Sequence, residues 1–301
     1  MPVVKPPSDN IAMIALRGNK KRFATFQRLI NRIQHKIYQT IKDLKMPQDS
    51  FVPYKIEQIH ATIIGMEVIK IAGELYNANF LNNDGRLRKI EANRLLTLMD
   101  TIQKTKDPNA FLTIRFGGFR KTYCRCEGFD LLDWNCPTGS SEFHAFNRTA
   151  YEGSFYAFSG GPVMLTGWPV DSAEKKSTFN RDLFGIRRAA GGFGFLDKYH
   201  LQVKPHWKDD DFFVRLGSFR PVDDPLKPSL ISLIERVRDF LCLEGPVIVD
   251  IPVEAISIVY YEDPSLDRIK NGDPKNEIPL RNAIDNPGLV DDLYAYWTIV
   301  H

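Results

Sequence analysis

The stretch Ile56-Glu57-Gln58-Ile59-His60-Ala61-Thr62-Ile63-Ile64-Gly65 decides how the chain is read. Apolar and polar residues alternate along it with the period of two that marks a strand. Ile59, Ala61 and Ile63 then share one face, and His60 and Thr62 share the other. The first face suits a core. The second sets an imidazole beside a hydroxyl. An imidazole moves protons near neutral pH, and a threonine hydroxyl donates to a phosphate oxygen. The pair therefore suits phosphodiester chemistry. A His-x-Thr triplet also describes any half-buried strand with two polar residues outward, so the neighbouring elements must carry the argument.

Working outward, Asn10-Ile11-Ala12-Met13-Ile14-Ala15-Leu16 reads as a buried strand closed by Gly18. From Lys20 to Leu44, Phe23, Phe26, Ile30, Ile33, Ile37, Ile41 and Leu44 recur at steps of three and four, which predicts an amphipathic helix. Pro47 and Pro53 mark a loop before the His-x-Thr strand. Two helical pieces are expected after it, the second from Arg86 to Gln103 with Leu87, Ile90, Leu95, Leu98 and Ile102 as its stripe. Phe111 to Phe116 reads as a strand broken by Gly117-Gly118, and Pro162 to Thr166 as another. Between them, residues 121–152 are rich in Gly, Ser, Asn and Cys and read as a long loop or insertion. Asp171 or Ser172 is expected to cap a helix to about Ala190, stopped by Gly191-Gly192. Tyr199–Lys204 and Asp211–Phe219 read as strands, Ser229–Leu243 as a helix, and Ala255–Tyr261 as a strand. This irregular alternation indicates α+β rather than a parallel βαβ array.

The chain has 301 residues, 43% of them hydrophobic, enough for one large domain or two lobes. The formal net charge of +3 lacks the basic excess of a dedicated nucleic-acid-binding domain, although a basic groove fits inside a near-neutral total. The opening Met1-Pro2-Val3-Val4-Lys5-Pro6-Pro7 has no apolar core, so no secretory signal is expected. No run of about 18 apolar residues occurs, so no membrane partner is expected. Four cysteines are too few for a disulfide-built fold of this size, and a cytoplasmic setting is the simplest expectation.

The order of strand, long amphipathic helix, Pro-containing loop and His-x-Thr strand followed by glycine resembles the opening of the 2H phosphoesterase superfamily. That superfamily includes RNA 2′,3′-cyclic phosphodiesterases of the LigT type. The matching residues are Ile11–Leu16 and Ile59–Gly65, and the tail Val253–Asp263 is similar to the family's closing strand. The resemblance spans most of residues 10–265. It implies a single two-lobed α+β domain over 1–301, in which two antiparallel sheets flank a central groove with helices outside, interrupted by the insertion at 121–152. Each lobe of the family gives one His-x-Thr or His-x-Ser strand to the groove.

Two stretches compete for the second motif. Tyr199-His200-Leu201-Gln202-Val203 keeps the histidine but puts glutamine in the hydroxyl position. Phe212-Phe213-Val214-Arg215-Leu216 fits the following helix and strand better, but puts Phe213 for histidine and Arg215 for threonine. With the first, the resemblance implies a phosphodiesterase acting on 2′,3′-cyclic phosphates or related RNA ends. His60 and His200 would be its acid–base pair, and Thr62 with Gln202 or Arg215 would hold the phosphate oxygens. That scheme needs no metal and no cofactor. With the second, it implies a catalytically inactive relative that binds RNA or nucleotide phosphate through His60, Thr62 and Arg215. A third expectation is an interaction scaffold that keeps only the fold.

Cys124, Cys126, Cys136 and His144 have no standard zinc-site spacing, and no metal is expected there. His206 lies in a polar turn and His35 on the basic helix, both read as surface residues. Lys20, Lys21, Arg22, Arg28, Arg32, Lys36, Lys42 and Lys45 are what the solvated face of such a helix needs.

Overall fold

The computed structural model describes residues 10–17, 23–77, 79–80, 86–107, 109–119, 150–171, 179–196, 210–261, 266 and 276–299. β1 (Asn10–Ala15) leads into α1 (Ala24–Asp43). The face of α1 that carries Phe26, Leu29, Ile30, Ile33, Ile37 and Ile41 is buried. Among the described residues no side chain caps its first turn, and the helix is held by this stripe, at about 1.5–3 kcal/mol per fully buried large apolar side chain. Its end is closed by Lys45, which takes φ 53 and lets Met46 N–H donate to Ile41 O at 3.0 Å.

The strands that follow are β2 (Phe51–Pro53), β3 (Ala61–Gly65), β4 (Val68–Ile71) and β5 (Glu74–Asn77). Next come α2 (Ala92–Thr105), β6 (Leu112–Phe116), the short α3 (Ala150–Gly153), β7 (Phe155–Ala157) and β8 (Pro162–Pro169). The chain continues through α4 (Asp182–Gly192), β9 (Phe212–Phe219) and α5 (Lys227–Glu244). It closes with β10 (Val247–Ile251), β11 (Ile256–Tyr261), β12 (Glu277–Pro279), α6 (Leu280–Asp285) and α7 (Gly288–Ile299). The α+β class expected from the sequence is present, and among the described residues every strand pairing is antiparallel.

The main sheet runs β10-β6-β8-β9-β3-β1-β11-β12, with β2 added to β9 and β7 to β8. Where the resemblance implied two sheets flanking a groove, ten of the described strands join into one sheet, and β4 and β5 pair apart from it. The join is narrow: β3 and β9 share only the pair Ala61↔Val214, with six strands on the β9 side of it and four on the β3 side. α1 packs against α5, β2 and β10, and α5 packs against β7. Their apolar stripes meet Met13, Ala15, Ile63, Ile114, Leu165 and Val214 in one large core.

Three expectations change. Ile56–Gln58 forms a 3₁₀ turn, so the strand begins at Ala61 and His60 sits immediately before it. The turn wins because Gln58 N–H donates to Lys55 O at 2.9 Å while its side-chain oxygen accepts from Lys55 N–H at 2.7 Å. The first of the two expected helical pieces contains the hairpin β4–β5, which turns through Ala72 and Gly73 at positive φ. α4 starts at Asp182, well after the expected start beside Asp171. Asp210, remote in sequence, accepts from Phe184 N–H in the first turn at 2.7 Å.

Candidate functional site

The 3₁₀ turn before β3 aims a carbonyl at His60. Gln58 O lies 2.7 Å from His60 Nδ1. A carbonyl only accepts, so Nδ1 carries the proton and Nε2 presents a bare lone pair. No other described residue bonds to this ring. His60 is 6% exposed. Burial, with Arg215 and Arg17 nearby, brings its pKa down to about 4, against the weaker opposing pull of the Gln58 carbonyl. At neutral pH the ring is an uncharged acceptor with two arginines in electrostatic reach.

The antiparallel pair Ala61↔Val214 fixes what stands opposite. His60 and Arg215 flank this pair on one side, where the arginine's charge reaches the ring, and on the other side Thr62 and Phe213 flank the point where the two strands part. Val214 and Ala61 point into the core, which leaves these four side chains on the other face. Arg17 arrives from the end of β1, where Leu16 takes φ 72. Its guanidinium is bonded to Glu277 Oε2 on β12 at 2.9 Å, with side-chain exposures of 3% and 11%. The pair is thus desolvated, and burial lowers the arginine's pKa although Glu277 pulls it up.

Two small apolar clusters sit on this same face, one on each side. Ala12, Ile14, Val259, Tyr261 and Leu266 form the first. Phe119, Ala150, Tyr151, Trp168, Val170 and Phe179 form the second. The polar residues lie between them on that face. Thr166 on β8 stands beside Phe213 in the same cross-strand row and is fully buried. Among the described residues its hydroxyl has no hydrogen-bond partner. This part of the face therefore carries Arg215, the Arg17–Glu277 ion pair, two threonine hydroxyls, an imidazole acceptor and an aromatic ring. This suits an oxyanion that carries or adjoins a proton donor.

Of the residues expected from sequence, His60, Thr62 and Arg215 come together. His200 and Gln202 lie outside the described residues, as do Cys124, Cys126, Cys136, His144 and His206. His35 is exposed on α1 and exchanges a hydrogen bond with Gln39. The basic face of α1 is partly engaged: Arg32 is ion-paired with Glu244 and lies over the Phe240 ring. Sequence reasoning missed Arg17 and Glu277. They are 260 positions apart, and no local pattern announces such a pair. Among the described residues no cluster of His, Cys, Asp and Glu is arranged to hold a metal ion. No helix among them is long and apolar enough to cross a membrane.

No family model matches this sequence, and no curated protein matches it. Among solved structures, it is similar to a conserved protein of unknown function from Agrobacterium tumefaciens str. C58. The likeness has 7% identity, covers 85% of this chain and 82% of that one, and gives a TM-score of 0.37. It is too slight to bear on the fold or the site.

Proposed function

We propose that this chain binds the phosphate of a nucleotide or RNA end on the face around His60, Thr62, Phe213 and Arg215, on a two-lobed 2H phosphoesterase-like framework. The observation that carries this reading is the pairing Ala61↔Val214, which sets the triplet Phe213-Val214-Arg215 against His60-Ala61-Thr62. An arginine then flanks the pair on the same side as the histidine. Guanidinium pairs with a phosphate oxygen through charge-assisted bonds. Thr62 donates a hydroxyl to a second oxygen. Neutral His60 accepts through Nε2, which favours a ligand with a hydroxyl or a protonated oxygen beside the phosphate. A ribose 2′- or 3′-phosphate meets that description. Phe213 supplies an aromatic surface for the sugar or base.

A second reading is hydrolysis of a 2′,3′-cyclic phosphate, and the tautomer of His60 favours it. A neutral imidazole with a bare Nε2 can take the proton from an attacking water. The water oxygen then bonds to phosphorus as one ring P–O bond breaks. The departing ribose oxygen needs a proton from a second group, and His200 is the candidate. Among the described residues the only other histidine is His35, on the exposed side of α1.

Calorimetry with nucleoside 2′- and 3′-monophosphates, 2′,3′-cyclic nucleotides and the bare nucleosides tests the binding reading. Binding that needs the phosphate and weakens in Arg215→Gln supports it. Equal affinity for bare nucleosides, or none for any member, removes it. Turnover of the cyclic members, lost in both His60→Ala and His200→Ala, would establish the enzyme instead.

A further inference from the structure

The join between β3 and β9 is a gap in the sheet that one side chain fills. Beyond Ala61↔Val214 the two strands part, and the backbone oxygens of Thr62 and Ile63 have no ladder partner across the gap among the described strands. Arg187, projecting from α4, supplies it. Its Nε donates to Ile63 O at 3.0 Å, one terminal nitrogen to Thr62 O at 3.2 Å, and the other to Asp211 O at 3.1 Å. A single guanidinium thus ties Thr62 and Ile63, the second and third residues after His60, to the residue just before β9. The helix that carries it is anchored to the same place. Asp210, 1% exposed, accepts from Phe184 N–H at 2.7 Å and pairs with Arg181 at 2.9 Å.

We infer that Arg187 is a positioning residue, whose forked guanidinium sets the separation of His60-Thr62 from Phe213-Arg215 and so the width of the phosphate site. The inference rests on the binding reading above. Its physical basis is geometric. Five N–H donors in a rigid plane can satisfy three carbonyls on two strands at fixed spacing. A lysine carries the same charge on a point donor and cannot span them. With the fork gone, the orphaned carbonyls recruit water into the gap. The strands then splay at Thr62 and Phe213, and the rim of the His60 site becomes hydrated.

The test compares wild type with Arg187→Lys and Arg187→Met. Each is first checked for native near-UV circular dichroism. The His60 ring is then titrated by NMR without ligand, and affinity for a nucleoside 3′-monophosphate is measured by calorimetry. Both variants are expected to stay folded, and the His60 midpoint to move up from about 4 toward its ordinary value of 6.5. Affinity should fall about tenfold, the worth of one well-placed hydrogen bond to a charged group. Unchanged midpoint and affinity in folded variants overturn the inference. So does full recovery in Arg187→Lys, which would make charge rather than the fork responsible, and so does loss of the fold in both variants, which would make Arg187 a structural residue only. If wild type binds no nucleotide, the binding reading fails, and the His60 midpoint alone still decides the role of Arg187.

Discussion

Acid should drain stability from this protein through His60, and replacing that residue should abolish the effect. The ring is neutral in the fold, with its pKa near 4 because burial and two arginines oppose a third positive charge. In the unfolded chain it returns to about 6.5. The unfolded state therefore takes up the proton first as pH falls. The stability that depends on an uncharged His60 is complete above about pH 6.5. It shrinks through the interval down to about 4 and then stops falling, because both states are protonated. A gap of about 2.5 pH units, at about 1.36 kcal/mol each, removes roughly 3 kcal/mol by pH 4. That is a large part of the few kcal/mol by which a domain is stable. Asp210 works in the opposite direction, since burial raises its carboxyl, so wild type alone would mix the two effects. His60→Asn separates them: its amide can still donate to Gln58 O, and it does not titrate. Urea unfolding at pH 7, 6, 5 and 4 gives the difference in stability between the two proteins. That difference should shift by about 3 kcal/mol against wild type across the range, with most of the change below pH 6. A flat difference would refute the reasoning, because it would mean that the ring is solvated in the folded protein.

Arg215→Gln removes one of the charges that hold His60 neutral, so NMR titration should show a higher His60 midpoint than in wild type. Phosphate affinity should fall by about ten- to a hundredfold, as expected for a charged hydrogen bond worth ~1.5–3 kcal/mol. Gly217→Ala should lower the melting temperature by several degrees, because φ there is +155° and an added Cβ would lie 2.3 Å from Val52 O. Backbone strain of this type costs about 1–3 kcal/mol, and the β2–β9 pairing would also be pushed apart. Ile33→Ala, at a fully buried position of α1, should cost about 2–5 kcal/mol in urea unfolding while leaving nucleotide affinity unchanged.

Where periodicity was strong, the sequence was readable. The repeat of isoleucines every three or four residues announced α1, and the run Asn10–Leu16 announced β1. Short elements were not. β2 and β12 have three residues each, too few to show any period, and they exist because a neighbouring strand offers a free edge. Residues 68–77 carry few turn signals besides Gly73, and they pair into a hairpin because Ala72 accepts positive φ. The site divided in the same way. His60 and Thr62 were legible because alternation places them on one face of a strand. The partners across the sheet were not, since register between strands far apart in sequence is set by packing, which leaves no local pattern. The competing candidates for the second motif show this limit: alternation alone suited His200 and Arg215 alike.

The proposed function seats a phosphate beside Arg215, Thr62 and His60. The most direct measurement is NMR titration of the His60 ring against pH, with and without a saturating nucleoside 3′-monophosphate. A bound anion offsets the nearby arginine charges and favours the protonated ring. The account therefore predicts a midpoint that rises from about 4 by at least one pH unit on binding, and an affinity that strengthens as pH falls. A midpoint unchanged while the ligand is bound would place the phosphate elsewhere and contradict the account.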